Sequence, residues 1–93
     1  MSTSVVHAFD ASAPWALNEQ VSLRDESFGA LAYHHGTRRL VFLKSRELVE
    51  LVRRISEFES VDAALDDLVP EGQRDRYLAA LTSLARSEIV RVR

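Results

Sequence analysis

The sequence contains no cysteine among its 93 residues, which excludes disulfides, thiolate metal sites and cysteine nucleophiles. It has no apolar run near the roughly 20 residues that span a bilayer. Its first residues also lack the basic region and long apolar stretch of a secretory signal peptide. These absences predict a protein of the reducing cytoplasm with no membrane partner.

An excess of basic charge is missing as well. Twelve Lys and Arg side chains stand against fourteen Asp and Glu, which gives a net charge of −2 at pH 7. Domains that bind nucleic acids usually carry a clear basic excess, so a nucleic-acid partner is not expected. The arginines are nevertheless clustered, at Arg38 and Arg39 and again at Arg74 and Arg76, and such clusters can form a local basic surface.

The residue patterns of common catalytic sites are not found. The three glycines are scattered, so they form no phosphate-binding loop, and no serine stands in the strand-turn-helix elbow of a hydrolase. His34 and His35 are neighbours on a predicted strand and point to opposite faces, which disfavours a shared metal ion. Asp62 and Asp66 share a helix face, but Asp62 lies in a first turn, where it complements the helix dipole. The sequence therefore predicts no catalytic residues, no metal site and no cofactor.

The length is typical of one domain. Residues 1–14 are predicted to form a flexible N-terminal tail, because small residues and Pro14 offer little to bury. Residues 15–93 are predicted to form a single domain, since 46% of the sequence is hydrophobic and can supply one core.

Three β-strands are predicted in the first half, at 20–25, 28–34 and 39–43. The first of them alternates apolar and polar residues, as a half-buried strand does. Gly36 lies in the link between the second and third strands and is expected to allow a positive φ in a hairpin turn. Short links make the three strands an antiparallel meander in sequence order, with the third strand at an edge.

The second half is predicted to be helical. Ser45 is placed to cap a helix that runs to Phe58, with apolar residues at every third or fourth position. Ser60 is placed to cap a shorter helix, and a third helix is predicted over 73–87. Residues 89–92 are expected to end the chain as a short strand or extended tail. The predicted fold class is α+β and winged-helix-like, a three-stranded antiparallel meander followed by three helices.

A binding surface is the function that these elements favour. The free edge of the third strand, next to the third helix, suits β-augmentation, in which an extended peptide pairs with the edge and its side chains enter a groove. The pairs Arg38–Arg39 and Arg74–Arg76 would attract an acidic peptide if they rim that groove. The predicted peptide-binding residues are Arg38, Arg39, Leu40, Val41, Phe42, Leu43, Arg74, Tyr77, Leu78 and Leu81.

Several points stay open at this edge. A register shift of one residue exchanges the two faces of a strand, so the face that lines the groove is not defined. Apolar helix residues such as Leu81 belong more often to a core than to a groove. Replacing Val41 with proline is expected to weaken peptide binding if the amide of Val41 faces outward. The edge also offers a way to form a homodimer.

One ordered series of short segments is distinctive. It consists of Phe9–Asp10, Ala13–Leu17, Gln20–Arg24, Phe28–Leu31, Tyr33–His34, Gly36–Leu40 and Phe42–Lys44. In order and spacing this series resembles the family of precursor-peptide chaperones of mycofactocin biosynthesis. More remotely it is similar to the chaperone of the pyrroloquinoline-quinone pathway and to the recognition elements of ribosomally made, post-translationally modified peptides (RiPP recognition elements).

The resemblance implies a winged-helix-like domain that binds the acidic leader of a short precursor peptide along 39–43 and 73–85. It also implies that the chain presents this peptide to a radical S-adenosylmethionine (SAM) maturase, which holds the iron–sulfur clusters and modifies the peptide. Leaders in this family are glutamate-rich, in agreement with the clustered arginines. The segment Ala13–Trp15 has two interpretations, a contact for the maturase or a staple that holds the tail on the sheet.

The main alternative is a winged-helix DNA-binding regulator, because one fold can serve both functions. Its recognition helix would expose polar groups, and the predicted third helix offers Gln73, Arg74, Arg76 and Arg86. Salt-sensitive DNA binding would favour this alternative, whereas stoichiometric binding of an acidic peptide favours the chaperone. A small hydrolase is a more distant third alternative, which would require a turnover that depends on a carboxylate or histidine.

Overall fold

The computed structural model describes residues 9–93. The elements in chain order are β1 (Trp15–Leu17), β2 (Val21–Glu26), β3 (Gly29–His34), β4 (Leu40–Leu43), α1 (Arg46–Arg54), α2 (Val61–Leu68), α3 (Arg74–Arg86) and β5 (Val90–Val92). The predicted α+β class, with a three-stranded antiparallel meander before three helices, is confirmed. In the described part of the chain, no helix has the length and apolar character needed to cross a membrane. Of the predicted tail, residues 1–8 lie outside the described range.

β2, β3 and β4 form one antiparallel sheet in that order. Ala30 on β3 pairs with Leu43 on β4, and the predicted strand positions are met within a single residue. The turn between β3 and β4 differs from the expectation, because its left-handed residue is Arg38, with φ 66°, and not Gly36. The N–H of Arg38 donates to the carbonyl of His34 at 2.7 Å, which closes the loop with the left-handed residue at its end.

His34 holds this turn in place with its side chain. The ring is buried, with 3% of the residue exposed, and its Nδ1 accepts hydrogen bonds from the backbone N–H groups of Gly36 at 3.0 Å and Thr37 at 3.1 Å. An Asx turn has the same pattern, with a side-chain oxygen as the acceptor. His35 instead lies next to Ser22, with 2.7 Å between Nε2 and Oγ. The two adjacent histidines therefore have separate partners.

A second, two-stranded sheet joins the two ends of the described chain. β1 pairs antiparallel with β5, so that Trp15 lies opposite Val92 and Leu17 lies opposite Val90. The predicted short C-terminal strand is thus present as β5. The sequence pattern does not reveal β1, because three residues are too few to show a period.

The segment before β1 packs against α2 and Trp15. The rings of Phe9 and Trp15 lie 4.5 Å apart, and the Trp15 indole donates to the carbonyl of Asp10 at 2.8 Å. The carbonyls of Ala11 and Ala13 accept hydrogen bonds from the first amides of α2, which have no partner inside the helix. Trp15, on β1, thus contacts Phe9 and Asp10 of the preceding segment, while Ala11 and Ala13 bind the start of α2.

Serine caps start two of the helices, as predicted. Ser45 Oγ accepts from the N–H of Leu48 at 3.0 Å at the start of α1, and Ser60 Oγ accepts from the N–H of Ala63 at 3.1 Å at the start of α2. The helix predicted to run to residue 58 ends earlier, at Arg54, where the chain tightens into a 3₁₀ turn. This turn redirects the chain toward α2.

One hydrophobic core lies between the inner face of the three-stranded sheet and the helices. Ala30 and Ala32 on β3 are fully buried, and their small side chains allow α1 to pack closely on the sheet. The largest fully buried side chains are those of Leu43, Leu51, Val52, Ile55, Val61, Leu65, Leu81, Ile89 and Val90. Because every helix contributes to this set, the sheet and all three helices form one packed unit.

The role of His34 in the turn can be tested by comparing His34→Ala with His34→Asn. Both variants lose the ring, but only asparagine keeps a side-chain acceptor within reach of the amides of Gly36 and Thr37. We expect the alanine variant to be less stable than the asparagine variant by about 1 kcal/mol in urea unfolding. Equal stability of the two variants would show that the acceptor does not hold the turn.

Candidate functional site

β4 is an edge strand, because within residues 9–93 it pairs only with β3. The backbone N–H of His34 donates to the carbonyl of Arg39 at 2.9 Å, which makes these residues a hydrogen-bonded pair. Hydrogen-bonded and non-hydrogen-bonded pairs alternate along antiparallel strands. In the observed register, the next hydrogen-bonded residues of β4 are therefore Val41 and Leu43, opposite Ala32 and Ala30.

Leu40 and Phe42 consequently direct their backbone N–H and C=O groups away from β3, toward the free edge. The amide of Val41 points the other way, into the ladder. Proline at position 41 was expected to weaken peptide binding only if the amide of Val41 faces outward. Because this amide faces inward, Val41→Pro does not test peptide binding at the edge. The edge amides available to a peptide are those of Leu40 and Phe42.

The side chains of β4 divide in the same alternating way. Leu43 is fully buried and Val41 is half-buried on the inner face, where both pack with the core. Leu40 and Phe42 are each 54% exposed on the outer face. The structure therefore defines which face of this strand points toward the helices, a choice that the sequence left open.

A shallow groove of about 160 Å³, termed here the inner groove, lies between the end of β4 and α3. It is lined by Lys44, Ser45, Leu48, Arg76, Tyr77 and Ala80. Leu48, Ala80 and the largely buried Tyr77 supply its apolar surface, whereas Lys44 and Arg76 are exposed cations. The groove can thus hold an apolar side chain next to positive charge.

Exposed cations stand at both ends of β4. Arg38 and Arg39 precede the strand, and Lys44 follows it, close to Arg76 in the inner groove. Within the described residues, these four cations form no ion pair with a carboxylate. An acidic chain along the β4 edge would therefore meet uncompensated positive charge at each end.

Arg74 has a different environment. The structure places its guanidinium against α2, where it pairs with Asp62 and lies 2.9 Å from a carboxylate oxygen of Asp66. This contact joins the start of α3 to α2 and leaves the Arg74 charge compensated. It also occupies both carboxylates that could have formed an acid–base pair.

The remaining predicted helix residues are also placed by the structure. Tyr77 lines the inner groove, whereas Leu81 is fully buried and Leu78 is half-buried against the core. Leu43 is buried as well. The arrangement brings Tyr77 near the end of β4, but it leaves Leu43 and Leu81 without an accessible surface.

Of the groove residues, only Tyr77 was among the predicted peptide-binding residues, and Arg76 was expected at the rim. The sequence did not indicate the other four, Lys44, Ser45, Leu48 and Ala80. A signal exists for Ala80, which follows Tyr77 by three positions and so shares its helix face. The others lie in the link after β4 and in the first turn of α1. Their proximity to α3 depends on helix packing, which no local pattern reports.

Comparisons with known proteins point to one family. The model of the Peptide chaperone MftB family matches residues 14–91. The peptide chaperone MftB of Mycolicibacterium smegmatis is 42% identical over 93 residues, covering 97% of this chain and 91% of that protein. Those of Mycobacterium ulcerans and Mycobacterium tuberculosis are 42% and 40% identical, covering 89% and 88% of this chain and 77% and 76% of the relatives. No solved structure matches the chain at a significant level.

Proline substitutions at neighbouring positions test the assigned edge. Val41→Pro removes a ladder hydrogen bond and leaves a buried carbonyl on β3 without its donor, whereas Phe42→Pro removes an amide that faces solvent. We expect Val41→Pro to lower the free energy of unfolding by about 1–3 kcal/mol more than Phe42→Pro, as measured by urea titration. A larger loss for Phe42→Pro would reverse the assignment of the two amides.

Proposed function

The chain belongs to the peptide chaperone MftB family, and we propose that it binds the leader of a short mycofactocin-type precursor peptide by β-augmentation and presents the peptide to a radical SAM maturase. The observation that carries this proposal is the free edge of β4. Within residues 9–93 its backbone groups at Leu40 and Phe42 have no strand partner, and it lies beside a groove of suitable size for a side chain.

Main-chain pairing supplies the first part of the proposed interaction. An extended leader beside β4 exchanges backbone hydrogen bonds with Leu40 and Phe42, in the manner of peptides that extend a sheet in other recognition domains. Such bonds depend little on the side chains of the peptide. They therefore hold the leader without requiring a unique sequence.

The inner groove supplies the second part. A peptide residue opposite Val41 directs its side chain to the inner face, since opposite residues in a sheet share a face. On that side, Leu48, Tyr77 and Ala80 offer apolar contact. We infer that one apolar side chain of the leader is held there, between the end of β4 and α3.

Charge supplies the third part. Glutamates of the leader on either side of the paired segment would approach Arg38 and Arg39 at one end of β4, and Lys44 and Arg76 at the other. Opposite charges at both ends of the strand favour encounter and fix the placement of the peptide along it. This arrangement suits an acidic leader better than a neutral one.

The proposed role is non-catalytic and requires no cofactor on this chain. The carboxylates of Asp62 and Asp66 are both engaged by Arg74, which supports a structural role for them. We propose that the chaperone supplies binding and orientation in the cytoplasm, while the maturase carries the iron–sulfur clusters and the radical chemistry. A homodimer through β4 would use the same edge as the peptide, so dimer formation and peptide binding would compete.

The direct test is isothermal titration of the chain with a synthetic mycofactocin-type precursor peptide that includes its glutamate-rich leader. We expect one-to-one binding with a Kd near 1 μM, about −8 kcal/mol. A random DNA duplex serves as the control for a winged-helix regulator. Tight, salt-sensitive DNA binding with no peptide binding would overturn the proposal.

Charge reversal on α3 provides a matched pair of variants. Arg76→Glu places a negative charge in the inner groove, and we expect it to weaken peptide binding roughly 3- to 10-fold, in line with the modest strength of exposed ion pairs. Arg86→Glu makes an equal change of charge about 15 Å further along α3 and should leave the Kd of the peptide within about twofold of the wild-type value. Equal effects of the two variants in the titration would point to net charge rather than to a defined site.

A further inference from the structure

The outer face of the three-stranded sheet carries an exposed apolar surface, termed here the outer patch. It consists of Phe28, Leu31, Tyr33, Leu40 and Phe42. Phe28, Leu40 and Phe42 are 44%, 54% and 54% exposed. The rings of Phe28 and Phe42 lie 5.9 Å apart in an edge-to-face arrangement, and the register sets Leu31 opposite Phe42 and Tyr33 opposite Leu40.

The apolar character of this face increases from β2 toward the edge formed by β4. On β2, the strand farthest from that edge, the outward residues are Ser22, Arg24 and Glu26, and the last two form an ion pair at 3.0 Å. On β3 and β4 the outward residues are apolar. The most exposed apolar side chains of the strands of this sheet thus lie on β4, one of its two edge strands in the described chain.

The size of the outer patch limits what can cover it. A phenylalanine side chain buries about 150–250 Å² when it is covered, so three half-exposed large side chains offer roughly 300 Å². A stable interface between two proteins needs about 800 Å² from each partner. The patch alone is therefore too small to hold a second copy of the chain, whereas its extent suits a few side chains of one extended peptide.

We propose that the outer patch recognises apolar side chains at alternate positions of the bound leader, and so sets the register of the peptide on β4. This inference rests on the proposed function, because it requires the leader to pair with β4. A residue paired with Leu40 or Phe42 places its side chain on the outer face, about 5 Å from theirs. Two such peptide residues, with one residue between them, would each extend a cross-strand row of side chains, either Tyr33–Leu40 or Leu31–Phe42.

Recognition on two faces distinguishes the correct register from its neighbours. In the proposed register, the residue opposite Val41 enters the inner groove, and the residues before and after it contact the outer patch. A slip of one residue sends each side chain to the opposite face. The slip would bring the groove residue to the outer face and one outer residue to the inner face, and would leave either Leu40 or Phe42 opposite a residue from outside the recognised three. The register in turn fixes how far the rest of the precursor extends beyond the chaperone.

The inference is tested by titrating the precursor peptide into Leu40→Ser, Phe42→Ser and the double variant. The three variants keep every backbone amide, so main-chain pairing is preserved. We expect each single change to weaken binding up to about fivefold. The double change should weaken binding roughly 10- to 25-fold, because it removes two cross-strand apolar pairs. Val92→Ser is the matched control, since Val92 is 46% exposed on β5, and it should leave the Kd unchanged.

Thermal unfolding of each variant checks that the fold is intact. Unchanged peptide affinity in folded patch variants would overturn the inference and leave the proposed function standing. If peptide affinity stays constant while binding of the maturase is lost, the outer patch binds the maturase and not the leader, and the inference is also wrong. A wild-type dimer in analytical ultracentrifugation that dissociates in Phe42→Ser would assign the patch to a second copy. Absence of peptide binding by the wild type would overturn both proposals.

Discussion

The hydrogen-bond ladder between β3 and β4 controls which parts of this domain are free to bind. Alternation along the ladder directs the amide of Val41 inward with its side chain, and leaves Leu40 and Phe42 with both backbone groups and side chains in solvent. The same two residues thus offer main-chain pairing and apolar surface together. A shift of one residue in this ladder would bury the binding groups and expose the core.

The register of that ladder depends on a small number of local contacts. His34 accepts two amides of the β3–β4 turn, and Arg38 takes a left-handed conformation that closes the loop. The alanines of β3 then let α1 pack against the sheet, and α3 packs against the same core. The inner groove is therefore a consequence of packing, since its residues come from the link after β4, from α1 and from α3.

Local patterns were sufficient to predict most of the framework. Alternation indicated the three-stranded meander, and Ser45 and Ser60 were recognised as helix caps because capping requires only a short sequence. The turn was predicted less well. Its positive φ falls at Arg38 and not at Gly36, since the side chain and the carbonyl of His34 close the loop through local hydrogen bonds. β1 has too few residues to show any period.

The candidate site shows where sequence reasoning ends. Tyr77 was predicted and lines the groove, but an amphipathic pattern does not tell a groove residue from a core residue, and Leu81 is in the core. Arg74 was grouped with Arg76 because they are close in sequence, yet the carboxylates of α2 compensate only Arg74. Those carboxylates lie eight and twelve positions away, a distance that only the folded chain brings within contact.

Amide hydrogen exchange of the β4 residues, followed by NMR with and without the precursor peptide, tests the central claim most directly. Without peptide, the amides of Leu40 and Phe42 should exchange quickly and that of Val41 slowly. Addition of the peptide should slow exchange at Leu40 and Phe42 and leave Val41 protected as before. Unchanged exchange at both edge amides in the saturated complex would contradict the account, because it would show that the peptide binds without extending the sheet.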